Sequence, residues 1–269
     1  MTYTPSGPEE VDFLNTYDPV KYAAASFTAD IVILTIKNGE LAVLLVKRGG
    51  FPYKDCWALP GGFVNADETS DDAAERELKE ETGLDVKQAW LEQLKTYSTP
   101  GRDPRMRVIS TAYLALLPDA GTPIGGDDAT EAHFFPVKDI LDPQDEEDAI
   151  KLAFDHEEIV RDGLERAASK LEYTPLATSF LDQPFTLADL RRVYETVWGT
   201  SLHAANFRRK VLTTPGFVTA AGVKGESQFA GGRSADLYLS GTAELLHPAI
   251  LRKGLDAGIH DEDTEEGGL

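Results

Sequence analysis

Residues 62–84 read GFVNADETSDDAAERELKEETGL. Thr69, Ser70, Asp71 and Asp72 supply a helix start, with a hydroxyl able to cap the first free amides and acids where the helix dipole favours them. No Pro or Gly interrupts Ser70 to Glu81, and Gly83 stands where helices commonly close with a left-handed residue. The spacing predicts a helix over 70–81. On it Glu77, Glu80 and Glu81 lie three and four residues apart, so their carboxylates share one face. Like charges so close destabilise a helix unless something offsets them. On an ordinary surface helix the offset is water, with Arg76 as a local ion-pair partner. A hard, oxygen-seeking cation such as Mg²⁺ or Mn²⁺ also offsets them and bridges to phosphate oxygens. The flanking Gly62 and Gly83, with Glu68 and Arg76 at fixed spacing, favour the cation.

The chain around this helix has 269 residues and 29.4 kDa, enough for one large or two modest domains. A hydrophobic fraction of 42% and a charged fraction of 27% are ordinary for a globular protein. No apolar run of about 18 residues is present, so no membrane span is predicted. The start, MTYTPSGPEEVDF, lacks the basic and apolar regions of a secretory signal. The single cysteine, Cys56, excludes an internal disulfide and a cysteine-based zinc site, and its place between Asp55 and Trp57 reads as packing. These features predict a cytoplasmic protein. The net charge of −20 argues at first against nucleic acid, but it is unevenly spread: −17 over residues 1–174, +3 over 175–253 and −6 over 254–269. A mildly basic block between an acidic body and an acidic tail marks a separate domain.

Outward from the helix, Ile31–Ile36 and Leu41–Val46 are apolar runs joined through Asn38-Gly39, a strong hairpin signal. Trp57–Leu59, Trp90–Tyr97, Val108–Leu117 and a short strand at Phe134-Phe135 complete the strands. Short strands around one functional helix predict an α/β sandwich, with helices covering a mixed sheet, over residues 1–142. Residues 143–174 read as one long or two shorter amphipathic linker helices, bearing Ile150, Leu152, Phe154, Ile159, Val160 and Leu164. Beyond Pro184, Thr186 and Asp189 suit a capping arrangement for a helix whose stripe is Leu187, Leu190, Val193, Tyr194 and Val197, closed by Gly199. A second helix, about His203 to Thr213, turns Phe207, Val211 and Leu212 inward and Asn206, Arg208, Arg209 and Lys210 largely outward. Phe217-Val218 and Leu237–Leu239 flank a Gly-rich loop bearing Lys224 and Arg233. Helix, turn, basic helix and hairpin is the order of a winged helix-turn-helix, placed at residues 175–253. Residues 254–269 read as a disordered acidic tail.

The 62–84 stretch, written G-x5-E-x7-R-E-L-x-E-E-x-G-L, is the signature by which the first half is identified as a member of the Nudix superfamily. With Tyr17-Asp-Pro19, Leu59–Phe63, Gly101-Arg-Asp-Pro-Arg105 and Leu152–His156, it resembles the ADP-ribose-handling branch. The second half, through Asn206-Phe-Arg-Arg-Lys210, Gly231-Gly-Arg233 and Leu237-Tyr238, resembles the winged domain of the NrtR family, bacterial regulators of NAD metabolism. The resemblance covers roughly residues 12–240. It implies an ADP-ribose-responsive repressor of NAD synthesis or salvage genes, acting as a homodimer on palindromic double-stranded operators and leaving DNA when ADP-ribose binds. Many such regulators carry degraded boxes and do not hydrolyse. Here the box is complete, so ADP-ribose pyrophosphatase activity is open, and the competing expectation is a metal-dependent pyrophosphatase whose winged domain serves dimerisation or protein interaction.

By the same resemblance the metal ligands fall on Glu77, Glu80 and Glu81, with the Gly61 carbonyl nearby, while Glu68 pairs with Arg76. A general base often comes from a loop outside the box, and Glu131, with Asp127 and Asp128 behind it, is the position expected. Two phosphates need cationic donors, for which Arg48, Arg102 and Arg105 are the candidates. Tyr17, Phe27 or Tyr97 is available to stack adenine, and His156 reads as a helix-packing residue more than a relay. In the winged half, Arg208, Arg209 and Lys210 sit mid-helix and are assigned to phosphates. His203 and Asn206 lie nearer base edges, and Lys224 and Arg233 sit on the wing.

Overall fold

The computed structural model describes residues 3, 5–22, 24–83, 89–118, 129–144, 149–229 and 234–252. Arg233, Asp127, Asp128 and the 254–269 tail lie outside them. The Asn38-Gly39 hairpin forms as expected: β1 (Ser26–Lys37) and β2 (Glu40–Arg48) meet at Lys37 and Glu40, and both turn residues take positive φ, 53° and 77°. β3 (Trp57–Ala58) pairs with β2, and β4 (Gly61–Phe63) pairs with the start of β1. β5 (Trp90–Tyr97) pairs with β6 (Val108–Leu116), which runs parallel to β1, and β7 (Ala129–Pro136) pairs antiparallel with β2. The sheet is mixed, as the sequence predicts.

Both faces of this sheet are covered, which explains why β1 and β2 read as unbroken apolar runs. α1 (Pro8–Thr16) buries none of its residues. α2 (Ser70–Thr82) lays Ala73, Ala74 and Leu78 on Ile31 and Ile33. Past the short α3 (Lys138–Leu141), α4 (His156–Tyr173) covers the opposite face, where Ile159, Val160 and Ala167 join Val32 and Leu34 in a common core. Gly163 marks close approach of this helix to the sheet: a Cβ there would meet Val32 Cγ1 at 2.9 Å. Gly163→Val is therefore expected to wedge α4 from β1 and lower the unfolding free energy by about 1–3 kcal/mol, read from a urea melt.

The linker expectation changes in two respects. Helix begins only at His156, because Phe154 takes φ 56° and Leu152 bridges Trp57 in extended form. And α4 is a layer of the sandwich rather than a free connector.

In the second half, α5 (Leu187–Trp198) starts at a Thr186/Asp189 capping box, buries the predicted stripe and closes at Gly199 with φ 64°. α6 (Ala204–Thr213) buries Phe207 and Val211, but Leu212, expected inward, is 44% exposed. Phe207 and Val211 are four apart and define the buried face, and the next residue is rotated off it. β8 (Phe185–Thr186), β10 (Ala235–Ser240) and β9 (Val218–Gly225) form the three-stranded wing, in that order. Lys224 lies within β9, opposite Asp236, and not in the loop.

Asp189 does more than cap. It is fully buried, one carboxylate oxygen accepting from Thr186 N and Oγ1 and the other from Ser227 Oγ at 2.5 Å and Gln228 N at 3.0 Å. It thereby ties the end of the wing to α5. Asp189→Ala strands four donors, and a loss of about 3 kcal/mol of stability is expected by denaturant titration. The two halves share one apolar core through α4. Tyr194 Oη donates to Leu171 O and Trp198 Nε1 to Ala168 O, both at 3.0 Å, while Arg192 Nη2 reaches Gly39 O of the β1–β2 turn at 2.8 Å.

Candidate functional site

The Thr69 hydroxyl accepts from Asp72 N while the Asp72 carboxylate answers Thr69 N, and Gly83 closes α2 with φ 72°. The helix therefore starts and stops where its sequence directs. Arg76 projects back over the preceding loop. Its Nη2 donates to Glu68 at 2.9 Å and its Nη1 to Glu77 at 2.7 Å, with Glu80 at 3.5 Å. Arg76 and the Asn65 amide hold the Glu68 carboxyl at a pKa of about 2. Glu68 thus bridges the Asn65 loop and Arg76 of the helix.

Glu77 and Glu81 are buried, 7% and 5% exposed, whereas Glu80 is open. Burial pushes the Glu77 carboxyl above its ordinary range although Arg76 pulls the other way. Gly62 lies so close that a Cβ there would overlap the Glu77 carboxylate, and Gly61, at φ 156°, would drive one into Ala29 O and Asp30. Glycine is required at Gly61, where the clash is with backbone at positive φ, whereas a side chain at Gly62 would displace the Glu77 carboxylate.

These acids line a cavity of about 880 Å³, open to solvent, whose walls also carry Arg48, Arg102 and Arg105. The three cations differ in what they already hold. Arg102 is buried and grips Asp155 with two bonds, 2.8 and 2.6 Å, with Asp30 at 3.8 Å. Asp155 fills its fork and only 6% of the side chain is exposed, so the expected phosphate contact would have to displace that carboxylate inside the wall. Arg105 pairs with Asp103 at 2.7 Å and lies over the Phe63 ring. Arg48 donates Nε to Pro52 O and stacks on Phe154, and among the described residues no carboxylate stands within ion-pair distance of it. Burial, and then the nearby Arg105, pull its pKa below the ordinary guanidinium value. An anion between Arg48 and Arg105 would relieve that repulsion.

Three acids in this arrangement were missed. Asp30 is 7% exposed and accepts the Ser110 hydroxyl. Its signal was a lone charge at the head of an apolar run. Asp103 and Asp155 lie inside the Gly101–Arg105 and Leu152–His156 motifs, where no local signal marks them as partners of Arg105 and Arg102.

His156 is buried at the start of α4, and its Nδ1 accepts from Leu59 N at 2.9 Å. Burial holds its pKa below the ordinary value. It is a packing and acceptor residue. The unfolded chain then takes up the proton first, so stability is full above about pH 6.5 and falls as pH drops toward the folded value, with a slope of at most ~1.4 kcal/mol per unit. His156→Asn, which keeps an acceptor, is expected to flatten this slope in melting temperature measured between about pH 7 and 5.

Glu131 departs from its expected loop. Residues 129–136 pair with β2, so Glu131 lies in β7, bonded to Lys47 at 3.0 Å with His133 at 3.6 Å, and it does not line the cavity. Lys47 draws its carboxyl below the usual range. Of the three aromatics considered for adenine, Tyr97 is buried and donates to Asp162, Tyr17 stacks on Tyr22, and Phe27 is exposed outside the cavity lining.

In the winged half, His203 precedes α6 and is exposed, Arg208 and Arg209 are exposed, and Asn206 and Lys210 are half-buried. Lys224 lies 3.8 Å from Asp236 across the wing. No helix among the described residues is long and apolar enough to cross a membrane.

A sheet covered on both faces, with a box helix over a charged cavity and a winged helix-turn-helix beyond it, defines a two-part protein of the Nudix class. Residues 26–156 match the NUDIX domain, and residues 177–239 match the NrtR DNA-binding winged helix domain. The chain is 31% identical over 231 residues, 85% of its length and 87% of the relative's, to the ADPR responsive transcriptional repressor NtrR of Acinetobacter baylyi. The NrtR of Shewanella oneidensis, solved in complex with a 27mer DNA, superposes with a TM-score of 0.67 at 31% identity, over 80% of this chain and 93% of that one. The first half is also 48% identical over 120 residues, 45% of this chain and 64% of the relative, to an ADP-ribose pyrophosphatase of Methanocaldococcus jannaschii. The chain belongs to the NrtR family of Nudix-related transcriptional regulators.

Proposed function

We propose that this protein is a dimeric, ADP-ribose-responsive repressor of genes for NAD synthesis or salvage, released from a palindromic operator when ADP-ribose occupies the cavity. The observation that carries this is the shared core: α4 begins at the cavity wall, where Asp155 holds Arg102, and ends under the winged helices, where Leu171 and Ala168 receive Tyr194 and Trp198. A ligand that moves Arg102 acts on the first turn of an element which the winged half grips by its last turns. In functional terms residues 1–142 form the sensor, 143–174 the coupling segment and 175–253 the DNA reader. Arg48 and Arg105 take the diphosphate, and α6 supplies Arg208 and Arg209 to DNA phosphates, with His203 and Asn206 toward base edges.

A divalent cation fits the donor set in kind. Glu77 and Glu81 are buried carboxylates lining the cavity, and Mg²⁺ asks for only one or two carboxylates beside substrate oxygens. Among the described residues no three His, Cys, Asp or Glu side chains are gathered into a ready cage. The ion would therefore be held jointly with the ligand, by Glu77, Glu80, Glu81 and the Gly61 carbonyl. Bound Mg²⁺ or Mn²⁺ supplies Lewis acidity toward a phosphoryl oxygen. The chain's own part is to release Glu77 from Arg76, to place the diphosphate with Arg48 and to hold the box loop with Glu68. The complete box and the 48% identity to a pyrophosphatase favour a second, slower activity, hydrolysis of the ligand.

A gel shift on the chain's own promoter and on NAD-gene promoters, with and without ADP-ribose, tests the reading. A shift at low salt that ADP-ribose abolishes is expected. No shift of any fragment would leave the pyrophosphatase reading in its place.

A further inference from the structure

We infer that Phe51 is the platform on which the purine base of the bound nucleotide stacks, an assignment that rests on the nucleoside-diphosphate reading of the cavity. Three phenyl rings line that space: Phe51, Phe63 and Phe154. Two are already covered. The Phe154 face holds the Arg48 guanidinium at 4.8 Å and meets the edge of Tyr53, and the Phe63 face holds Arg105 at 5.6 Å. Phe51 is 83% exposed, and among the described residues no ring or cation lies on it.

Exposure of this kind on a loose loop would mean little. Here the backbone on either side is tied down. Arg48 N donates to Cys56 O at 3.0 Å, Asp55 N to Arg48 O at 2.9 Å, Cys56 N to Tyr53 O at 3.1 Å, and the Arg48 side chain holds Pro52 O. The turn thus presents a large apolar side chain to water at the rim of a cavity whose walls are largely charged. A purine brought there by its phosphates needs a π-face, and Phe51 offers one. Position strengthens the case. Arg48, which has no carboxylate within ion-pair distance among the described residues, is three residues before Phe51 and bonded to the residue after it. One short turn therefore addresses both the phosphate and the base. Stacking of this kind is tolerant of base identity, so Phe51 selects a nucleotide over a bare diphosphate without selecting adenine over guanine.

The test is calorimetric titration of the full chain with ADP-ribose and, separately, with inorganic pyrophosphate, for wild type, Phe51→Ala and Phe51→Tyr. Phe51→Ala is expected to weaken ADP-ribose by roughly 10- to 100-fold, and Phe51→Tyr to restore it to within a few-fold. Pyrophosphate affinity and melting temperature should stay at the wild-type values, because the ring is 83% exposed in the free protein. Equal ADP-ribose affinity of Phe51→Ala and wild type overturns the assignment while leaving the sensing reading intact. A fall in oligomeric mass with unchanged affinity also overturns it, making the ring a subunit contact. A wild-type protein that does not bind ADP-ribose brings down the sensing reading and this assignment together.

Discussion

Replacing Arg208 and Arg209 together by alanine should weaken operator binding by on the order of 10³-fold at about 0.1 M salt. Both guanidinium groups are exposed on α6, with no carboxylate among the described residues within ion-pair distance to compete for them. If each meets one phosphate, a dimer loses about four contacts, and each contributes roughly 0.9 to the slope of log K against log salt. The slope should therefore flatten by about 3 to 4 units, which filter binding at several salt concentrations measures directly. Other positions should behave differently. Lys224 shares its charge with Asp236, so Lys224→Ala should cost less. Substitution of His203 or Asn206 should change the ranking of operator sequences and leave the slope alone. A double variant with the wild-type slope would remove α6 from the DNA interface. If the protein acts as a dimer, as proposed, the net +3 of residues 175–253 makes it depend on both subunits, since a single basic helix on so acidic a chain binds weakly.

The elements with local signals were legible in the sequence. Asn38-Gly39 needs positive φ at both positions, Thr69 and Thr186 each find their Asp three residues on, and Gly83 and Gly199 close their helices in the left-handed region. All of these are decided within a few residues. What the sequence did not give away depends on long-range pairing. Glu131 reads as part of an acidic loop until β2 is known to pair across it. Arg102 and Arg105 look equivalent in Gly101–Arg105, yet Asp155, 53 residues away, takes one of them and Asp103 takes the other. The start of α4 is not legible because Phe154 takes a left-handed conformation without being Gly or Asn, the residues that announce it. Phe51 carries no local signal for a related reason. An aromatic beside a proline gives no sign of whether it faces solvent or core until the turn around it is fixed.

Glu81→Gln should separate the two activities proposed for the first half. The carboxylate is 5% exposed at the cavity wall, and glutamine preserves its size while removing the charge that a cation requires. If the box is a catalyst, Mg²⁺- or Mn²⁺-dependent release of AMP from ADP-ribose should fall by on the order of 10³-fold, followed by chromatography of the products. Equal rates for the two proteins would show that the box does not catalyse. DNA release follows a different rule, because it depends on the difference in ADP-ribose affinity between the free and DNA-bound states and on no chemical step. Moving the protein from about 99% bound to about 99% free needs a differential of roughly 10⁴, and by linkage the operator must weaken ADP-ribose by the same factor. Hydrolysis consumes the ligand that maintains this difference. With wild type and Mg²⁺, release should therefore decay as ADP-ribose is exhausted and DNA is bound again. With Glu81→Gln, release at the same starting ADP-ribose should persist, and the time course of fluorescence anisotropy on a labelled operator distinguishes the two. A wild-type time course as flat as that of the variant, with AMP accumulating, would mean that the product also releases DNA, and the sensor would then read the AMP portion shared by ligand and product.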